Sequence, residues 1–452
     1  EISQLDFDGI KDNLKTFLSQ QDEFVDYDFE GSGMNILLDV LAYNTHYLGY
    51  NANMLANEMY LDSADQRSSV VSLAKQVGYT PRSASSSQAT IDVLVNNGSG
   101  ASITMSRGTK FTTTVDGTNY SFVNNADVSI SPVDGVYKFS NLDIYEGTYL
   151  NYKYTANTSD TDQRFIIPND NVDTTTLTVK VQESASDSTT NTYTLATGIT
   201  GLDSTSKVYF LQEIENERYE IFFGDGIFGK KLEEGNFITI NYITCNGDSA
   251  NGVNQFQFSG KLTYTRNSIE YTVTTGISLL TTGVTAQGGE VIESVDSVKK
   301  FAPRIYASQN RALTANDYET LIPSKIYPET ESISVFGGEE LVPPQYGKVF
   351  ISIKPKTGDF LPNLIKENIR TKLKKYAVAG IVPEILDLKY LYIEVDSKIY
   401  FNSNLAPSGA AVSSIVQSNS NKYAESAEMN KYRARYKYTK FLNIIDQRNE
   451  AI

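Results

Sequence analysis

The chain has 452 residues, a net charge of −15, one histidine, one cysteine and no tryptophan. A surface that acidic repels phosphate backbones, which argues against nucleic acid as a partner. The lone His46 and Cys245 exclude an intrachain disulfide, a multi-Cys zinc site and every His-pair metal motif, and no apolar run nears the ~18–20 residues of a membrane span. At roughly 100–200 residues per domain, two to four domains are expected. No charged-then-apolar signal stretch opens the chain, so the expected compartment is the cytoplasm, from which an assembled particle could later leave. The absent start Met points to a trimmed beginning.

The expected fold class is multidomain α+β. A helical segment covers 1–85, a β-rich, sandwich-like region covers 86–295, and a small α+β domain covers 296–452. In the first segment, Met34, Leu37, Leu41, Leu48, Leu55 and Met59 form one apolar stripe along a helix of about 28 residues. A second row carries Val40, Tyr43, Tyr47, Tyr50 and Met54, and a helix apolar on two sides wants more than one neighbour. Ser63-Ala64-Asp65-Gln66 reads as a capping box opening the next helix, which Gly78 stops and Pro81 blocks. The middle region is rich in Thr, Ser, Val and Tyr, with period-two runs and turn signals at Asn97-Gly98, Asp116-Gly117, Asp134-Gly135 and Asn246-Gly247. Glu183–Thr200 reads as a Ser/Thr-rich loop.

In the last region a helix is expected over Val298–Asn310. Another is capped at Thr314 and ended by Pro323. Strands are expected at Ser332–Phe336, Lys348–Lys354 and Leu388–Phe401, with a helix from Pro362 to Val378 between the last two and further helices after Pro407. The apolar run 441–445 breaks off soon after, so we expect the natural chain to continue past Ile452 and this domain to be cut short.

The search for chemistry finds nothing that assembles. Gly224-Asp225-Gly226-Ile227-Phe228-Gly229 matches GxGxxG, but Lys230 to Gly235 leads into a strand where a dinucleotide site needs a helix; a tight hairpin fits better. His46 lies mid-helix and Cys245 closes a strand, with no third group to complete a nucleophile–base pair. Asp160-Thr161-Asp162 and Asn169-Asp170-Asn171 are loop acids that could hold an adventitious cation at most. The run Lys431 to Lys440 interleaves cations with tyrosines, a pattern that could stack single-stranded nucleic acid but in so acidic a chain better suits a solvated edge or helix face, or an acidic partner. No catalytic residue, cofactor or metal is expected. What remains is interface character, with 30 tyrosines offering large contact area at little rotamer cost.

Three blocks, in order, carry a resemblance. They are Leu5 to Ile10 with Gly33 to Asn44 and Arg67 to Ala84; Phe223 to Gly229 with Gly235 and Gly252-Val253-Asn254; and Ala302-Pro303-Arg304 with Gln309 to Glu319. Together they resemble the baseplate wedge proteins of T-even-like contractile-tail bacteriophages, within the wider baseplate J-like family. The resemblance implies a virion component, assembled in the host cytoplasm, that pairs with a second copy and with other wedge proteins. It implies a ring around the hub that couples host contact to sheath contraction, moving at linkers near residues 85 and 296. The interface residues are then Met34, Leu37, Leu41, Tyr43, Tyr47, Leu48, Leu55 and Met59. The competing expectation is a β-rich tail adhesin or glycan-binding module; a cell-wall hydrolase is a third, disfavoured by the lone His and missing Trp.

Overall fold

The computed structural model describes residues 6–21, 27–96, 100–115, 117–160, 162–196, 198, 201–281, 285–309, 311–356, 360–378, 380–402, 408–424, 426 and 428–446. The Asn97-Gly98 turn, Asp116, Thr161 and Asn310 lie outside them. N-terminal helices, a central β-rich region and a small C-terminal α+β region follow one another along the chain.

Helix α1 spans Phe7–Leu18 and α2 spans Gly33–Glu58. The Asp6 and Ser32 side chains cap them by accepting from Gly9 N–H and Asn35 N–H. Helix α3 spans Arg67–Gln76, and its N-cap Gln66 makes no side-chain capping bond. The expected capping box at Ser63 is therefore replaced. Glu58 at the end of α2 accepts from the Asp65 and Gln66 N–H groups at 3.0 and 3.2 Å, while the Ser63 hydroxyl turns back to Asn57. Gly78, at φ +72°, ends α3 as its position before Pro81 requires.

The central region builds two β units. A six-stranded antiparallel sheet runs, in spatial order, Gln257–Phe258, Lys110–Val115, Thr118–Asn124, Tyr137–Glu146, Gln88–Val95 and Ile277–Thr281. It shares one core with a four-stranded sheet of Ile269–Val273, Leu262–Arg266, Ile103–Met105 and Val128–Ile130. A seven-stranded sheet has its own core, in the order Thr148–Thr155, Phe237–Thr244, Val172–Gln182, Thr190–Leu195, Val208–Glu213, Tyr219–Phe223 and Phe165–Ile166. Its outer strands meet: the Tyr154 ring stands edge-on to Phe165 and its hydroxyl donates to the Ile166 carbonyl at 2.5 Å. This sheet curls toward closure, which shelters edges that would otherwise invite pairing. Strand Thr190–Leu195 lies inside the stretch expected to be a loop; its Ser/Thr composition hid a strand whose one inward anchor is Tyr193.

Helix α4 covers Val295–Ser308 and α5 covers Ala315–Leu321, the latter opened by a Thr314–Asp317 capping box. A three-stranded sheet of Thr330–Gly337, Lys348–Pro355 and Val382–Leu386 follows, with α6 at Asn363–Leu373. Pro362 is the N-cap, and α6 stops short of Val378 at a cluster of lysines. Residues 387–402 form no strand, contrary to the alternation over Leu388–Phe401; the third ladder partner is Val382–Leu386 instead. Helices α7 (Gly409–Ala424) and α8 (Tyr438–Asp446) pack on one another.

One core joins distant parts of the chain. Val70, Ala74 and Tyr79, in and just after α3, are buried with Val298 and Phe301 of α4, Leu321 of α5, Ile351 of the three-stranded sheet and Leu373 of α6. The β units are thus inserted between two halves of a single hydrophobic cluster.

Candidate assembly surface

Helix α2 has 26 residues, about 39 Å at 1.5 Å per residue. Only Asn35, Leu38 and Ala42 on it are buried, on the side where α1 contributes Ile10 and Lys11 pairs with Asp39 at 2.5 Å. From residue 43 to residue 58 no position is buried. Of the eight residues expected to meet a partner, Leu37, Leu41, Tyr43, Tyr47, Leu48, Leu55 and Met59 are each more than half exposed, and Met34 is half-buried. Tyr43 and Tyr47 stack on one another with ring centroids 6.0 Å apart, holding their faces along the stripe. The helix carries Asp39 and Glu58 but no Lys or Arg, and the exposed Asn44 and Asn51 interrupt the apolar row between Leu41, Leu48 and Leu55. Exposed apolar patches of this kind are what interaction sites are commonly made of.

The sequence motifs are used elsewhere. Gly224 to Gly229 joins strands Tyr219–Phe223 and Phe237–Thr244, which are not neighbours in the sheet, so it is a self-closed loop and not a hairpin. A Cβ on Gly224 would stand 2.2 Å from the Gly229 carbonyl. Asp225 accepts from the Ile227 and Phe228 N–H groups, which holds its carboxyl below the usual range. No helix follows, and nothing there offers a phosphate cradle. Cys245 is buried against the Asn171 carbonyl, and burial pushes its thiol up to about 11. His46 sits in α2, on a different element. Asp170 pairs with Arg218 at 3.2 Å, and Asp160 accepts from Asp162 N–H. Among the described residues no cluster of His, Cys, Asp or Glu could hold a metal ion.

The basic run near Lys431 docks the last helices. The Tyr432 N–H and hydroxyl donate to Ser332 and Ser352 of the three-stranded sheet, at 3.0 and 2.7 Å. Tyr436 packs between Tyr423 and Phe441, and Lys437 and Lys440 both pair with Glu428.

Sequence reasoning missed a polar junction among α3, the β units and the C-terminal region. Arg67 binds Glu213 through two hydrogen bonds, and Glu293 accepts from the Tyr79 hydroxyl at 2.9 Å. Burial keeps the Glu213 carboxyl above its usual range in spite of the guanidinium beside it. The acids Glu213, Glu290, Glu293 and Glu329 are all buried, which no local sequence signal distinguishes from surface carboxylates.

An exposed apolar helix on an acidic body is a surface suited to assembly with other chains. Four family models match in chain order. The helical domain of gp6-like baseplate wedge proteins matches residues 6–79, and the third domain of bacteriophage baseplate wedge protein gp6 matches residues 152–251. C-terminal domains I and III of baseplate structural protein gp6 match residues 314–386 and 389–452. Baseplate wedge protein gp6 of Enterobacteria phage T4 is 30% identical over 418 residues, covering 88% of this chain and 61% of that protein. The chain thus spans about three-fifths of the length of the curated relative it matches. A cryo-EM structure of the anti-feeding prophage baseplate aligns over 84% of this chain and 71% of that one, at 13% identity and a TM-score of 0.29, too loose to define a shared fold. Over most of its length the chain is thus similar to gp6-like baseplate wedge proteins, which are structural baseplate proteins.

Proposed function

We propose that the protein is an inner wedge scaffold of a contractile tail baseplate, resident in the virion and assembled in the host bacterial cytoplasm. In this reading the bare stripe of α2 packs against a second copy of the chain and against other wedge proteins. The wedges close into a ring around the hub and help couple host contact to sheath contraction, with no cofactor, metal or catalytic step. A place within the wider baseplate J-like family belongs to the same proposal. The observation that carries the reading is the exposure of seven of the eight stripe residues. Burying about six such side chains yields roughly 9–18 kcal/mol gross, before association costs, enough to decide assembly. The wedge designation of the T4 relative supports it.

The test is co-expression of two differently tagged full-length copies. The double substitution Leu41→Asp, Leu48→Asp is expected to abolish co-purification while the β-sheet circular dichroism persists. Normal complexes from that variant would sink the interface.

A further inference from the structure

We propose that the two segments joining the β units to the rest of the chain form one rigid collar closed by Arg67, and that the movable joint is the turn between α2 and α3. This goes beyond the proposed function and relocates the hinges expected near residues 85 and 296.

The segments run antiparallel, side by side. Ser85 and Glu290 exchange both backbone hydrogen bonds, at 2.9 and 3.1 Å; Gln88 and Gln287 do the same at 2.7 and 2.9 Å; and Glu293 N–H donates to the Arg82 carbonyl at 3.1 Å. Two single-chain linkers would each swivel about their own torsions. Two paired ones form a short ribbon that resists it. At Gly289 a Cβ would stand 2.3 Å from both the Gly247 carbonyl and the Ser87 hydroxyl, so the ribbon also lies hard against its surroundings.

Its side chains reach both neighbours. Arg67 of α3 binds Glu213 of the seven-stranded sheet at 2.7 and 3.0 Å and also donates to the Glu293 carbonyl. The Glu293 carboxylate accepts from the Tyr79 hydroxyl, Arg82 N–H and the Ser297 hydroxyl. Glu290 takes Arg82 on one side and Lys356 of the three-stranded sheet on the other, both at 2.6 Å. Gly288 N–H donates to Glu329. Losing Arg67 would leave the Glu213 carboxylate, buried in the seven-stranded sheet, without its close cation, which is costly.

The α2–α3 turn is held differently. Its polar ties are the Glu58 carboxylate to Asp65 N–H, Gln66 N–H and Ser69, the Ser63 hydroxyl to the Asn57 carbonyl, and a Lys299–Asp65 pair at 3.4 Å whose Asp65 is exposed; Ala64, and Leu61 in part, seat the α3 side of the turn in the α3–α4 core, which leaves the joint to the α2 side, before Leu61. Exposed pairs of this kind contribute little.

Hydrogen exchange on the full chain tests the proposal. The Ser85, Gln88, Glu290 and Glu293 amides are expected to exchange as slowly as those of Val172–Gln182, and the Asp65 and Gln66 amides about 100-fold faster. Arg67→Met should cut collar protection at least about tenfold and leave Val172–Gln182 unchanged. Collar amides as fast as Asp65 in the natural protein would overturn the proposal, and so would a collar indifferent to Arg67→Met. Should that variant fail to fold, Glu293→Gln is read by the same criterion, and the comparison within the natural protein decides alone.

Discussion

Asn246 grips Glu146 with two hydrogen bonds, from its backbone N–H at 2.9 Å and from its side-chain Nδ2 at 2.7 Å. Glu146 ends a strand of the six-stranded sheet, and Asn246 follows a strand of the seven-stranded one, so the pair pins the two β units together. Burial holds the Glu146 carboxyl above its usual range even though both bonds pull the other way. Asn246→Ala removes one donor from a carboxylate that water cannot reach, and should cost about 1–3 kcal/mol in urea unfolding. A loss below about 0.5 kcal/mol would mean the contact is incidental.

Glu329 gives a pH prediction of unusual sign. Burial raises its carboxyl above the ordinary 4.5, so the folded chain holds this proton more tightly than the unfolded chain does. Its contribution to stability is therefore complete below about 4.5 and is lost as pH climbs through the raised value. Glu329→Gln keeps an acceptor for Gly288 N–H and removes the buried charge. The variant should be the more stable of the two at pH 8, with the gap closing at pH 4. Thermal melts at both values check this, and a natural protein that is the more stable at pH 8 contradicts it.

Gly147 carries the chain from one β unit to the other at φ +128°, where a Cβ would stand 2.2 Å from the Thr244 carbonyl oxygen. Gly147→Ala meets both backbone strain and a clash with main chain, and should cost at least about 3 kcal/mol. Gly78 also has positive φ but open space around it, so Gly78→Ala should cost only about 1 kcal/mol. Similar melting temperatures for the two variants would show that the close approach is not real.

Cys245 should be inert while the protein is folded. With its thiol at about 11, roughly one part in 3000 is thiolate at pH 7.5, and the side chain is buried. A disulfide reagent should therefore label it only after denaturation. Prompt stoichiometric labelling of native protein would argue for an open route to the sulfur.

The parts legible in the sequence were those set by local periodicity. The α2 stripe could be read because apolar residues recur along it, and Thr314 and Gly78 because caps and stops need particular side chains. The Leu388–Phe401 alternation misled because a period of two shows only that a strand could form; the ladder partner is decided elsewhere, and Val382–Leu386 took that place. Thr190–Leu195 went unseen for the opposite reason, since a strand with one buried tyrosine has no apolar rhythm even in the middle of its sheet. The Arg67–Glu213 tie spans 146 positions, and nothing in either residue's neighbours announces it.

The insertion of the β units into the α3–α4 core fixes an order of events at the ribosome. Val70 and Ala74 leave the exit tunnel about 225 residues before Val298, and about 300 before Leu373, the side chains that will cover them. The three sheets of the β units, whose partners are all present once residue 281 has emerged, can close in that interval. Nascent α3 must wait with its greasy side uncovered for the whole of that synthesis. Placing Tyr79 and Arg82 at the mouth of the finished sheets keeps that waiting segment beside the site where its late-arriving partner strand will dock.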